Sequence, residues 1–361
     1  MMLSTLAVDG FRNIGGARVE LAQGANFFYG ENGAGKTSLL EAVYYLILGR
    51  SFRTNLLKRL VEYQQDGLAI FARARGTDGD LELGVARSFT SGKQIKVGGK
   101  NISSHAEVAS LFPVQLINYD SYLLLQGSSK IRRQFIDWGL FHVEPFFKDA
   151  WRGLTRALNQ RNSALRLRAS EKEITVWSHE LQHYGLQVHN YRLAYLQELV
   201  LVAQEILEKL AIDFSITINY LPGWDDRLQL AEALSRSFNN DLYYGYTTVG
   251  PGRADLQILA AGVIAKDTLS RGQQKLLACG LLIAQAELLK RKNAKRCLFL
   301  VDDLAAELDL ERCRLVARAL VEAGDNQLVV TGLNREGLAN IFAGIPINIR
   351  AAKLEQGKVF V

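Results

Sequence analysis

Gly30-Glu31-Asn32-Gly33-Ala34-Gly35-Lys36-Thr37 is the stretch that decides the fold. It has the spacing of a phosphate-binding loop: it follows the apolar run Ala25-Asn26-Phe27-Phe28-Tyr29, and a helical pattern opens at Thr37 and runs to Leu48. Glycines let backbone N–H groups wrap phosphates at a helix N-terminus, Lys36 has the reach for the β and γ phosphates, and the Thr37 hydroxyl can take a magnesium position. The expected cofactors are ATP and Mg2+, with Gly30, Glu31, Asn32, Gly33, Ala34, Gly35, Lys36, Thr37 and Ser38 around them. A chance glycine-rich turn is the alternative, so companion elements must decide.

One companion is Cys297-Leu298-Phe299-Leu300-Val301-Asp302-Asp303, an apolar strand ending in two carboxylates. Asp302 is placed to hold the metal and Asp303 to orient or deprotonate an attacking water. Leu269-Ser270-Arg271-Gly272-Gln273-Gln274-Lys275 opens a long helix and resembles the LSGGQ-type sequence of the ABC ATPase superfamily. Ser270 could be a simple N-cap. In that superfamily's pattern, the helix N-terminus and the Ser270 hydroxyl instead contact the γ-phosphate bound by a second subunit, which predicts a homodimer formed with ATP. Ala305-Ala306-Glu307-Leu308-Asp309 occupies the place of the D-loop, with Ala306 where serine is usual. Gln115, after Phe112-Pro113-Val114, stands where that superfamily's glutamine sensing magnesium and γ-phosphate would lie, with an ordinary surface glutamine as the rival reading.

Outward from the loop, LSTLAVDGF, ARVEL and ANFFYG read as strands, and IFARAR, LELGVARSF and QIKVGG follow, separated by Thr77-Asp78-Gly79 and Ser91-Gly92. From Lys130 to Leu210 the pattern turns helical. Phe147, Trp151, Leu154, Leu158 and Leu165 form one seam; Trp177, Leu181, Tyr184, Val188, Tyr191 and Tyr195 form another. The simplest packing is two antiparallel helices turned around Ala169 to Lys172. Strand and helix alternate again from Ile212. The expected architecture is α/β: an ABC-type, SMC-like P-loop ATPase head of two lobes, 1–125 and 212–361, with an inserted helical arm at 126–211, a short antiparallel coiled-coil-like domain.

Hydrophobic residues make up 48% of the 361, enough for a sizeable core, and the formal charge is +6. Between Lys130 and Lys172 ten basic residues face four acidic ones, so this segment carries the whole excess. Such a patch suits a polyanion, and Arg132, Arg133, Arg152 and Arg156 are the candidate DNA contacts, set against a solvated helix face. The opening residues do not read as an export signal, and the apolar run Leu276 to Leu289 is shorter than a membrane span and broken by Gln285. A cytoplasmic protein without a membrane partner is expected. Cys279, Cys297 and Cys313 lie in apolar segments without C-x-x-C spacing and are expected as buried free thiols.

Phe11-Arg12-Asn13, the loop at Gly30, Gly49-Arg50-Ser51-Phe52-Arg53-Thr54, Ile131 to Trp138, Gly250 to Leu256, LSRGQ and VDDLAAELD together resemble, nearly end to end, the RecF family of bacterial recombination mediators, relatives of the SMC proteins. Departures are Asn118-Tyr119-Asp120, in place of a proline and acidic pair, and Gly252, in place of a histidine. The resemblance implies an ATP-dependent DNA-binding protein with slow ATPase activity that dimerises on ATP. Its DNA would be single-stranded, double-stranded or gapped, and it would work with RecR and RecO to load RecA. It also implies that Arg12, Asn13, Ser270 and Gly272 join the nucleotide site.

Rival readings are weaker. A transporter ATPase subunit would carry a histidine beyond QLVVT, yet none follows His189. A purely structural tether needs a longer coiled coil. His179-Glu180-Leu181-Gln182-His183 is formally a zinc-peptidase motif with His189 as third ligand. On a continuous helix, however, His189 lies about 120° around the axis from His183, and solvated arm histidines are preferred.

Overall fold

The computed structural model describes residues 1–76, 79–323 and 325–360; Thr77 and Asp78 of the expected turn lie outside the described residues. The chain forms two compact units, one of Met1–Ser121, Ile206–Ala211 and Arg271–Val361, the other of Tyr122–Glu205 and Ile212–Ser270. These divisions differ from the boundaries expected from sequence. Residues 212–270, assigned above to a second ATPase lobe, cluster instead with the helical arm, because their contacts, including Arg132–Asp255 and Arg161–Asp241, are made there.

The first unit opens with strands β1 (Met2–Phe11), β2 (Ile14–Glu20) and β3 (Ala25–Tyr29), helix α1 (Lys36–Leu48), and strands β4 (Gly67–Gly76), β5 (Gly79–Ser88), β6 (Gly92–Val97) and β7 (Lys100–Asn101). Helix α2 (His105–Leu111) and strand β8 (Val114–Ile117) follow. Six strands in the order β2-β1-β4-β5-β6-β7 make an antiparallel sheet. Its period-two pattern is plain in β4, where Leu68, Ile70, Ala72 and Ala74 are buried and the residues between them exposed. The buried face shares a core with Leu39, Leu40, Val43 and Leu46 of α1.

The second unit holds α3 (Leu123–Gln126), α4 (Ser129–Val143), α5 (Phe147–Arg166) and α6 (Glu171–Lys209), whose last residues, from Ile206 onward, pass into the first unit. It continues with β9 (Ile216–Leu221), α7 (Leu230–Arg236), α8 (Phe238–Tyr244), β10 (Asp255–Ala260), β11 (Val263–Ile264) and α9 (Ala265–Thr268). The helical hairpin is present, with α6 39 residues long, about 58 Å at ~1.5 Å per residue. Phe147, Leu154 and Leu165 are buried on α5, and Leu181, Val188 and Tyr195 on α6. Trp151 departs from the expected seam: it is 42% exposed, and the fully buried Arg161 stands among the inward residues of α5.

Back in the first unit come α10 (Arg271–Asn293), β12 (Leu298–Val301), α11 (Leu310–Glu322), β13 (Gln327–Gly332), α12 (Arg335–Ile341), β14 (Ile349–Glu355) and β15 (Lys358–Phe360). A second sheet runs β15-β14-β3-β13-β12-β8, parallel except for the β14–β15 hairpin. Every residue of β12 and β13 is buried, as parallel core strands require. Gln327 ties β13 to β1: its side chain accepts from Leu3 N at 2.8 Å and donates to Leu3 O at 2.7 Å. Among the described residues no helix is long and apolar enough to cross a membrane.

Candidate nucleotide site

The loop leaves the carboxyl end of β3 and enters α1, so the topology sets its glycines at the sheet edge. A side chain at Gly30 would stand 2.2 Å from the Leu354 carbonyl of β14, and Gly35 has φ 107°, a conformation suited to glycine. Lys36 Nζ donates to the carbonyls of Gly30 (2.6 Å) and Glu31 (2.9 Å), curling over its own loop.

β12 delivers the two carboxylates to the same edge. The Thr37 hydroxyl lies 3.1 and 3.0 Å from the two Asp302 oxygens, and the Thr331 hydroxyl donates to Asp302 Oδ1 at 2.7 Å. Asp303 sits at φ 48°, in the left-handed region, with its N–H donating to Thr331 Oγ1 at 3.1 Å. The donor set fits a hard divalent cation beside phosphates: one hydroxyl and one carboxylate already share a locus, next to a lysine.

The loop is braced from β1 and its turn. Asn13 donates to the Gly33 carbonyl at 2.9 Å and accepts from the Ser38 hydroxyl at 2.7 Å. Arg12 grips Glu41 with two hydrogen bonds of 2.7 and 2.6 Å. Glu41 is fully buried, also accepts from the Ser51 hydroxyl, and has Arg53 at 3.7 Å. Arg12, Asn13, Asn32, Gly33, Gly35, Lys36, Thr37, Ser38, Asp302 and Asp303 line one cleft of about 690 Å³, together with Arg53, Arg59, Val61, Tyr119 and Ala306. Thr331 and Glu41 were not foreseen as site residues. Their only sequence signals are a threonine closing an apolar strand and an acid inside an apolar helix.

Gln115 needs correction. It lies within β8, is buried, and donates to Gln285 Oε1 at 3.0 Å. It does not line the cleft, so the role of sensing magnesium and γ-phosphate has no support from its position. Ser270 is exposed immediately before α10, while Gly272 in the first turn packs close to the Glu307 carbonyl, where an added Cβ would stand at 3.3 Å. The signature turn and the D-loop thus touch inside the first unit.

Two DNA candidates are also corrected. Arg132 forms a two-pronged pair with Asp255 at 2.6 and 2.9 Å, and Arg133 donates to the Ala254 carbonyl at 2.6 Å. Both guanidinium groups serve the packing of the second unit. Arg152 and Arg156 remain exposed on α5, beside Asp149 (3.8 Å) and Glu180 (3.4 Å). His189, expected to be solvated, packs its ring against Tyr220 and Trp224, and burial lowers its pKa. The three cysteines are free and buried; burial pushes Cys279 up to about 12 and Cys313 to about 11.

Residues 2–354 match the family described as RecF/RecN/SMC N terminal domain. The chain is 38% identical to the DNA replication and repair protein RecF of Shewanella amazonensis over 99% of this chain and 100% of that protein. It is 37% identical to RecF of Vibrio campbellii, over 94% and 96%. A solved structure of the recombination mediator protein RecF with ATP, in the RecFOR pathway, superposes with TM-score 0.85 at 25% identity, covering 99% of this chain and 96% of that one. An Smc head bound to the C-winged helix domain of ScpA shares the fold alone, with TM-score 0.62 at 16% identity over 100% and 96%. With the phosphate-binding loop and the paired aspartates at one sheet edge, and with relatives matched along nearly the whole length, the chain belongs to the RecF family.

Proposed function

We propose that this protein is an ATP-operated DNA-binding protein of repair and replication, not a transporter subunit. ATP would dimerise it, slow hydrolysis would release it, and it would act in the cytoplasm at gapped DNA with RecR and RecO to load RecA. The observation that carries the ATP reading is the meeting of Lys36, Thr37 and Asp302 in one cleft.

Lys36 would exchange its loop carbonyls for the β and γ phosphates, and Thr37 with Asp302 would hold magnesium. When bound, the metal supplies charge neutralisation to the phosphate oxygens. Asp303 would orient the attacking water, and Thr331, bonded to both aspartates, keeps them in register. Ser270, exposed ahead of α10, would meet the triphosphate of a second copy.

Light scattering with and without ATP and magnesium tests this reading. The unaltered chain should dimerise with ATP. Ser270→Ala should still bind ATP yet stay monomeric, and a Ser270→Ala dimer as strong as the unaltered one would refute the composite site.

A further inference from the structure

Tyr243, Tyr244 and Tyr246 stand within four residues at the end of α8, and they are 82%, 57% and 40% exposed. On the inner side of α8, Phe238 and Leu242 pack on Leu165 and Ile174 beneath the α5–α6 turn. Gly245, at φ 72°, ends the helix and turns the chain so that Tyr246 comes beside Tyr244. The rings of Tyr243 and Tyr244 meet edge to face, with centroids 5.0 Å apart and planes at 83°, and those of Tyr244 and Tyr246 are 5.8 Å apart with planes 30° from parallel, so the three rings form a staggered ladder.

The backbone on both sides of the tyrosines is anchored. Asp241, fully buried, takes Arg161 at 2.7 Å, the Ser237 hydroxyl at 3.2 Å, and both the N–H and hydroxyl of Thr248 at 2.8 and 2.6 Å. Arg253 donates twice to the Thr247 carbonyl, and its guanidinium lies over the Tyr246 ring at 4.9 Å. Arg166 and Arg168 are exposed at the neighbouring hairpin turn, and the Arg166 stem lies beside Gly245. The carboxylate of α8 faces inward, so the exposed tyrosines lie beside the cations Arg166, Arg168 and Arg253.

We propose that this ladder is a platform for unpaired bases of single-stranded DNA, with Arg166, Arg168 and Arg253 beside the backbone. The proposal rests on the DNA-binding reading above and places part of it on a surface that reading does not use. Aromatic faces accept any base by stacking and guanidinium groups accept phosphates, whereas a duplex hides its base faces and offers mainly phosphates.

Anisotropy of a fluorescein-labelled single strand of about 30 bases, longer than the ~4–16-nucleotide footprint of such platforms, tests it against the same sequence as a duplex. The full chain is compared with Tyr243→Ala/Tyr244→Ala and Tyr243→Phe/Tyr244→Phe, all with ATP and magnesium. The alanine pair should lose roughly tenfold in single-strand affinity per ring removed, with duplex binding unchanged, while the phenylalanine pair keeps its affinity. Unchanged single-strand binding by the alanine pair would overturn the proposal, leave the DNA reading standing and pass the patch to a protein partner. Equal losses by the alanine and phenylalanine pairs, or equal losses on single strand and duplex, would also overturn it. If the unaltered chain bound neither DNA, the DNA reading itself would fall.

Discussion

Lys36 and Asp302 in the nucleotide cleft and Arg161 and Asp241 inside the helical unit are cation and carboxylate used in opposite ways. In the cleft, Lys36 rests on carbonyls of its own loop and Asp302 on two hydroxyls, partners that a phosphate and a metal can replace. In the helical unit, Arg161 and Asp241 are both fully buried, and Asp241 is saturated by four donors from Arg161, Ser237 and Thr248. A charge kept for a ligand is held by exchangeable neutral groups at an open edge. A charge kept for the fold is matched by a counter-charge in low dielectric, where losing one partner strands the other.

The largest effect should therefore come from the arginine that is fully buried against its counter-charge. Arg161→Ala is expected to cost about 3–5 kcal/mol in the urea unfolding of the helical unit, because Asp241 is left buried and unpaired. Arg156→Ala, five residues earlier on α5, removes an exposed pair with Glu180 and should cost less than about 1 kcal/mol. Comparable losses from the two variants would break the contrast. ATP binding per folded molecule should be unchanged in both.

Lys36→Ala should reverse that pattern. Charged hydrogen bonds are worth about 1.5–3 kcal/mol each, so ATP affinity by calorimetry should fall by one to two orders of magnitude, with unfolding nearly unmoved. If Lys36→Ala unfolds the protein as readily as Arg161→Ala, the lysine serves the fold and the cleft reading fails.

The same contrast explains what could be read from the sequence. The loop, the signature turn and the paired aspartates are legible because backbone geometry ties their chemistry to local spacing: Gly35, at φ 107°, answers a constraint of its own turn. The sheet strands were legible from alternation in β4 and continuous burial in β12 and β13. An arginine's task, in contrast, is set by whatever lies opposite it. Arg132 meets Asp255, Arg161 meets Asp241 and Arg192 meets Asp137, at separations of 123, 80 and 55 residues, and no local pattern announces such partners. The buried position of Gln115 is set in the same way: its partner, Gln285, is 170 residues away. The grouping of residues 212–270 with the helices depends on these distant pairs and was equally hidden.

A smaller effect than that of Arg161 or Lys36 concerns acid, and here the two units behave alike. His105 opens α2 with its imidazole packed against Gly49, and neither ring nitrogen has a hydrogen-bond partner; burial, with Lys93 nearby, lowers its pKa to about 4. His189 in the helical unit is lowered too, by burial and then by Arg192. In both cases the fold prefers the neutral ring, so stability is fully present above the unfolded value of about 6.5. It is lost as the pH falls from there, because the unfolded chain takes the proton first. For His105 the window closes near pH 4, where the folded form also protonates. Since the ring is only partly buried, the loss should be on the order of 1 kcal/mol. Carboxylates titrate in the same range, so the informative quantity is the difference between the unaltered chain and His105→Gln. The variant should flatten the fall in unfolding free energy between pH 6.5 and 4, and identical slopes would show that the buried imidazole carries no acid sensitivity.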